Sequence, residues 1–283
     1  MRALIHVTAW ERVSLWRRML CAFGRVAALL LLVTILFDVL APPIGIFFIA
    51  RWEAEKMPSV KVTPHPLNDY SVSDAPGKTL SYLGYSFEVP WTANFNTKGS
   101  QNGSTESGIM ELTFNSGQII VLITSADQSG PLSEIVHDQS MQLENLSLVF
   151  GNLIHSSAYD QYSALLNASP STIRALGPRR EAIRDETLLT VKAIAFPPSL
   201  ESGAFAFQFP DKRGFQIGDP RKSRRIDLEI FDLNGRHVEI SVGTARDDVN
   251  LTQPELNRIL KTLHPVPSTS PTVQAVSTKT VRN

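Results

Sequence analysis

The dominant feature of the hydrophobic pattern is residues 26–50, VAALLLLVTILFDVLAPPIGIFFIA, where 16 of 25 residues are Leu, Ile, Val or Phe and Asp38 is the single charge. As a helix rising ~1.5 Å per residue, this run is about 37 Å long, more than a ~30 Å hydrocarbon core needs. Its apolar side chains favour insertion by about 5–10 kcal/mol. Asp38 costs only ~2.5–3.5 kcal/mol on the same scale. The run therefore predicts a transmembrane helix, with the Pro42–Pro43 pair as a local kink.

Beyond it the pattern switches to short alternating segments. Thr79–Pro90 alternates through Leu80, Tyr82, Tyr85, Phe87 and Val89, and Ile109–Phe114 and Gln118–Thr124 flank the turn signal Asn115–Ser116–Gly117. Ile226, Leu228 and Ile230, then Val238, Ile240 and Val242, fall at period two around Asn234–Gly235, a strong hairpin cue. On that pattern Glu229 and Glu239 face water or another layer. Thr187–Phe196, rich in β-branched residues, reads as a further strand.

Helical spacing occurs at Pro131–Phe150, at Tyr159–Leu166 and in Leu251–Leu263, with another turn at Ser171–Leu176. The last of these helices opens with Thr252–x–x–Glu255, a capping box, and places Pro254 in its first turn. Leu256, Ile259, Leu260 and Leu263 form its apolar stripe. Antiparallel hairpins with helices between and after them predict an α+β fold, one antiparallel sheet covered by helices. Pro58, Pro64, Pro66 and Pro76 mark 51–77 as a Pro-rich spacer, and Pro265, Pro267 and Pro271 mark 265–283 as a disordered tail. The folded domain is then 78–264.

Charge sets the orientation. The 283 residues carry 27 Lys plus Arg and 27 Asp plus Glu, for a net charge of +0. Yet residues 1–25 hold Arg2, Arg12, Arg17, Arg18 and Arg25 against Glu11 alone. The positive-inside rule places that basic segment in the cytoplasm and the domain outside the membrane, in the periplasm if the cell is bacterial. A cleaved signal peptide is disfavoured, because its apolar core is ~7–15 residues long and ends in small residues. The single cysteine, Cys21, excludes an intramolecular disulfide framework. The balanced charge gives no reason to expect nucleic acid.

The strand Gly84–Tyr85–Ser86–Phe87–Glu88–Val89–Pro90 followed by Trp91 is similar to the opening of domains of the PsbP/Mog1-like fold. Arg236–Thr244, the acidic Asp247–Asp248 loop and the helix ending Ile259–Leu260–Lys261–Thr262–Leu263 resemble that family's closing strand and helix. The resemblance implies a non-catalytic accessory or binding role and transfers no functional residue.

Chemistry-bearing motifs are scarce. The sequence holds no G-x-S-x-G, HExxH, GxxxxGK[ST] or GxGxxG, and its six histidines form no close-spaced ligand pair. No cofactor or metal is expected. His137–Asp138 reads as a surface pair, and Asp247–Asp248 with Asn250 as a solvated loop ahead of a helix. Four N-x-[ST] sequons, at Asn102, Asn145, Asn167 and Asn250, bear on function only in a eukaryotic secretory pathway.

The candidate partner contacts are Asp38, mid-span, and the basic run Arg221, Lys222, Arg224 and Arg225, helped by Lys212 and Arg213 and suited to an anionic surface or an acidic partner. The expectation is a single-pass membrane protein whose external α+β domain binds rather than catalyses, with the lipid bilayer and another membrane protein or an anionic surface as partners. The alternatives are an assembly subunit contacting its complex through the span, with Asp38 as the contact, and a hydrolase with a dispersed triad.

Overall fold

The computed structural model describes residues 43–52, 55–101, 107–125, 130–132, 149–174 and 178–266. Most of the expected span, residues 133–148 of the helix expected over 131–150 and the tail from 267 onward therefore lie outside the described residues, as do Asp38 and His137–Asp138, while 131–132 and 149–150 are helical. Among the described residues no helix is long and apolar enough to cross a membrane.

The fold is α+β. Among the described residues eleven strands form two sheets: β1 His65–Pro66, β2 Lys78–Tyr82, β3 Tyr85–Val89, β4 Phe95–Gln101, β5 Gly108–Phe114, β6 Gln118–Thr124, β7 Ala204–Gln208, β8 Lys212–Ile217, β9 Arg225–Asp232, β10 His237–Thr244 and β11 His264–Pro265. Eight make a sheet ordered β1-β7-β8-β9-β10-β6-β5-β4, antiparallel except where β1 pairs parallel with β7. Three more make a small sheet ordered β11-β3-β2. Among the described residues, 43–52 are helical, and three further helices are numbered in chain order: α1 Ala158–Asn167, α2 Arg179–Ala195 and α3 Gln253–Thr262.

Side chains alternate across the large sheet with period two and so feed two cores. Ile226, Leu228, Ile230, Val238, Ile240 and Val242 point to one side, with Leu112, Phe114, Ile120 and Leu122 of β5 and β6. There they meet the β2–β3 hairpin and the Leu256–Ile259–Leu260–Leu263 stripe of α3. On the other side Ala204, Phe215, Ile217 and Phe231 pack with Leu165, Leu166, Leu188 and Leu189 of α1 and α2. The layers run small sheet with α3, large sheet, then α1 and α2.

Both cued hairpins form. Gly117 at φ +102° and Gly235 at φ +80° take the left-handed conformations their turns need. Thr79–Pro90 is itself a hairpin, β2 and β3, turning at Leu83 (φ +50°) and Gly84 (φ +77°). Helix α3 carries its capping box, with Glu255 Oε2 accepting from the Thr252 backbone N–H at 2.8 Å and from its hydroxyl at 2.9 Å.

Two expectations are corrected. Thr187–Phe196 is no strand, since residues up to Ala195 belong to α2. Its buried stripe runs Ala182, Leu188, Leu189, Val191 and Lys192, a helical spacing masked by the lysine on the inner face. The stretch 51–77 is not a bare spacer either. From Pro58 onward it is laid on the domain: Val60 and Leu67 are buried, and His65–Pro66 is β1. The Asn257 side-chain amide donates to the Asp69 and Ser71 carbonyls at 2.9 and 2.7 Å. At the other end Pro265 pairs with Tyr85 in β11, inside the fold rather than in a tail.

Candidate functional site

Arg221, Lys222 and Arg224 of the basic run lie in the connection from β8 to β9 and Arg225 opens β9, and all four cations are exposed. Three are already paired. Arg221 grips the buried carboxylate of Asp219 through Nε at 3.0 Å and a terminal nitrogen at 2.8 Å, which holds the Asp219 carboxyl below its ordinary range. Arg224 pairs with Asp247. Arg225 donates to Asp227 Oδ1 at 2.8 Å and to the Ser241 hydroxyl at 3.1 Å. Lys222 is held through its backbone N–H, which donates to the Asp219 carbonyl at 2.9 Å, and its ammonium alone of the four cations makes no hydrogen bond or ion pair among the described residues. The patch is thus close to neutral, and its arginines are committed to fixing a loop. Asp247 and Asp248 are solvated as expected, the latter paired with Arg246.

A second polar group sits one strand further in. Asp227, Glu229, His237, Glu239 and Ser241 share one face of β9 and β10, the face turned toward α1 and α2. Ser241 donates its hydroxyl hydrogen to Asp227, and Ser199 Oγ donates to Asp227 Oδ2 at 3.1 Å. His237 Nε2 lies 2.6 Å from Glu229 Oε2, and its ring stacks on Phe231 at 4.7 Å and tilts against Tyr162 at 5.3 Å. Burial first, then the charges of Glu229 and Asp227, raise the Glu239 carboxyl to about 7. This face can take up or release a proton near neutrality. Among the described residues, no group of three or more His, Cys, Asp or Glu side chains is arranged to hold a metal ion.

The opposite side of the same two strands holds a cavity of about 220 Å³. Ile230, Val238, Tyr85, Leu263 and Pro265 give it aliphatic and aromatic walls between the large and small sheets. Its polar part is a buried ammonium. Lys212, 5% exposed, donates from Nζ to the Leu263 carbonyl at 2.6 Å and to Asp211 Oδ2 at 3.0 Å. The turn from β9 to β10 completes the lining with Asp232, Leu233, Asn234 and Arg236.

Local chemistry fixes that turn. Asp232 Oδ1 accepts from the backbone N–H groups of Asn234 and Arg236 at 2.8 and 2.9 Å, and its Oδ2 accepts from Arg236 Nε at 2.8 Å. An aspartate folding back on the two residues beyond it is the usual chemistry of such turns. Leu233, within that turn, stands 77% exposed at the edge of the cavity it helps to line.

Sequence reasoning did not single out Leu233 or the acid–imidazole face, and it grouped Lys212 with the exposed basic run, whereas its ammonium is buried at the cavity. The alternation that put Glu229 and Glu239 on the same side was the one available signal. No protein-family model, no curated protein and no solved structure matches this chain.

Proposed function

We propose that this chain is a membrane-tethered, non-catalytic binding or accessory domain, held outside the membrane by the apolar run 26–50, that receives a side chain of a partner protein in the cavity between β3, β9, β10 and β11. The observation carrying this reading is the pairing of an apolar-walled cavity with Leu233, a large exposed aliphatic residue on its rim. At about 220 Å³ the cavity is below the ~300–1,000 Å³ typical of drug-sized ligands and suits one inserted side chain instead. Charges inside it are matched, Lys212 with Asp211 and Arg236 with Asp232. Affinity then comes from apolar burial next to an exposed anchor, as at protein interfaces.

The architectural proposal is a variant of the PsbP/Mog1-like fold. What supports it is that the two segments carrying the resemblance pack together. Trp91 Nε1 donates to Glu255 Oε1 at 2.9 Å, the Glu88 backbone N–H donates to Thr262 Oγ1 at 2.8 Å, and Arg258 pairs with Glu88.

Crosslinking the full chain in intact membranes, wild type beside Leu233→Asp and Val238→Trp, tests the binding reading. The expected result is one crosslinked partner that disappears in both variants while circular dichroism stays native. An unchanged crosslink in a natively folded Leu233→Asp variant overturns the reading, as does turnover of a substrate by the purified chain.

A further inference from the structure

We infer that residues 46–52, the outer part of the helix over 43–52, form a lipid-facing dock that seats the α1–α2 layer on the outer surface of the bilayer. This rests on the reading of the apolar run as a membrane anchor and adds how the domain sits upon it. The short helix is divided between two environments. Ile46 and Phe47 pack against the α1–α2 core and Ala50 lies within it, 3% exposed. Phe48, Ile49 and Trp52 point away, at 65%, 51% and 58% exposure. Three large apolar side chains within five positions are a patch rather than scattered surface residues.

The patch has the composition of a membrane–water interface. The Arg51 guanidinium lies 4.1 Å from the centre of the Phe47 ring, and the Lys56 ammonium lies 3.3 Å from that of Trp52. Aromatic rings at headgroup depth beside cations that reach lipid phosphates are the usual flanks of a membrane helix.

Length agrees. The apolar run is about 37 Å as a helix, which overshoots a ~30 Å hydrocarbon core. Residues 46–50 are the part engaged with the domain and the exposed patch. Removing them leaves residues 26–45, a run that would measure about 30 Å as a helix, the thickness of the core itself. The surplus of the run is thus accounted for by docking. The occupant is the phospholipid headgroup layer, continuous in sequence with the span. Because α1 and α2 lie on one side of the large sheet and the cavity on the other, docking through this helix leaves the cavity facing the aqueous side.

The test uses the full chain in vesicles of phosphatidylcholine and phosphatidylglycerol, with Cys21→Ser removing the native thiol. Single cysteines at Phe48, Ile49, Trp52 and, as control, Leu233 carry nitroxide labels, all four sites being exposed so that labelling spares the core. Collision rates with oxygen, which partitions into lipid, and with an aqueous nickel chelate give the depth of each label. Labels at 48, 49 and 52 are expected at headgroup depth, shielded from nickel, and the label at 233 in water. If carbonate-washed vesicles keep the chain but nickel reaches labels 48 and 49 as readily as 233, the dock is wrong and the anchor stands. Labels deep in the hydrocarbon, or broadened by an identical label on a second copy, also overturn it. Release of the chain by carbonate removes the anchor and the dock together.

Discussion

Glu229 and Glu239 stand directly opposite each other on β9 and β10, two carboxylates at one rung of an antiparallel ladder. Like charges so placed repel, and the surroundings resolve the conflict unequally. Glu229 has His237 at 2.6 Å. The Glu239 carboxyl has no side-chain hydrogen bond or ion pair among the described residues, and it is raised to about 7.

Stability should therefore fall as pH rises. Glu239 goes from its ordinary 4.5 to about 7 in the folded state, so between those values the fold holds a proton that the unfolded chain has lost. Well below 4.5 the residue costs nothing; above 7 it destabilises by a cost on the order of 3 kcal/mol. Glu239→Gln should match the wild type near pH 4.5 and exceed it by about that amount at pH 8. Urea titrations at the two pH values measure it, and an equal shift at both pH values would show that repacking rather than ionisation sets the difference.

Lys192 should behave as a structural clamp. Its side chain is fully buried and its Nζ donates to the carbonyls of Val62, Leu166 and Ala168 at 2.6, 2.8 and 2.7 Å. Burial lowers its pKa to about 8, which leaves it mostly charged at neutral pH. Lys192→Met fills the same space but strands three carbonyls, and an expected loss of about 2–4 kcal/mol follows. Limited proteolysis should also begin near residues 58–64, since Val62 is one of the three attachments. Unaltered protection there would refute the clamp.

One carboxylate ties the first strands to the last helix. Glu255 caps α3 through Oε2 and holds the Trp91 indole through Oε1. Glu255→Ala removes both, and about 1.5–3 kcal/mol is expected to go with them. Asp at this position is too short to bridge and should recover little, whereas Gln should recover the Trp91 bond and part of the cap. Trp91 emission reports the two losses separately from the denaturation midpoint.

How far these features could be read from residues alone varies in a physically sensible way. The β5–β6 and β9–β10 hairpins were legible because turn chemistry and period-two alternation agree locally, down to Gly117 and Gly235. The α3 cap was legible for the same reason. Helix α2 was not, because Lys192 occupies its inner face while Ile194, 69% exposed, sits on its outer one, inverting the usual pattern. The β2–β3 turn was hidden by Leu83, a side chain that rarely adopts positive φ. The cavity joins Tyr85, Lys212, Ile230 and Leu263, four positions spread over most of the domain, and no local pattern announces such a meeting. Lysines are read as solvent-facing by default, which conceals Lys192 and Lys212 alike.

The two-residue β1 closes one rim of the large sheet, and β4 forms the other. Seven inter-strand steps of roughly 4.8 Å separate them, about 34 Å in all. Tension arriving along the amino-terminal chain meets the Lys192 grip on Val62 and then β1, whose two rungs are the shortest ladder in that sheet. Strain applied there is spent peeling a rim, and the longer ladders between β7 and β4, with the cavity behind them, are shielded from it.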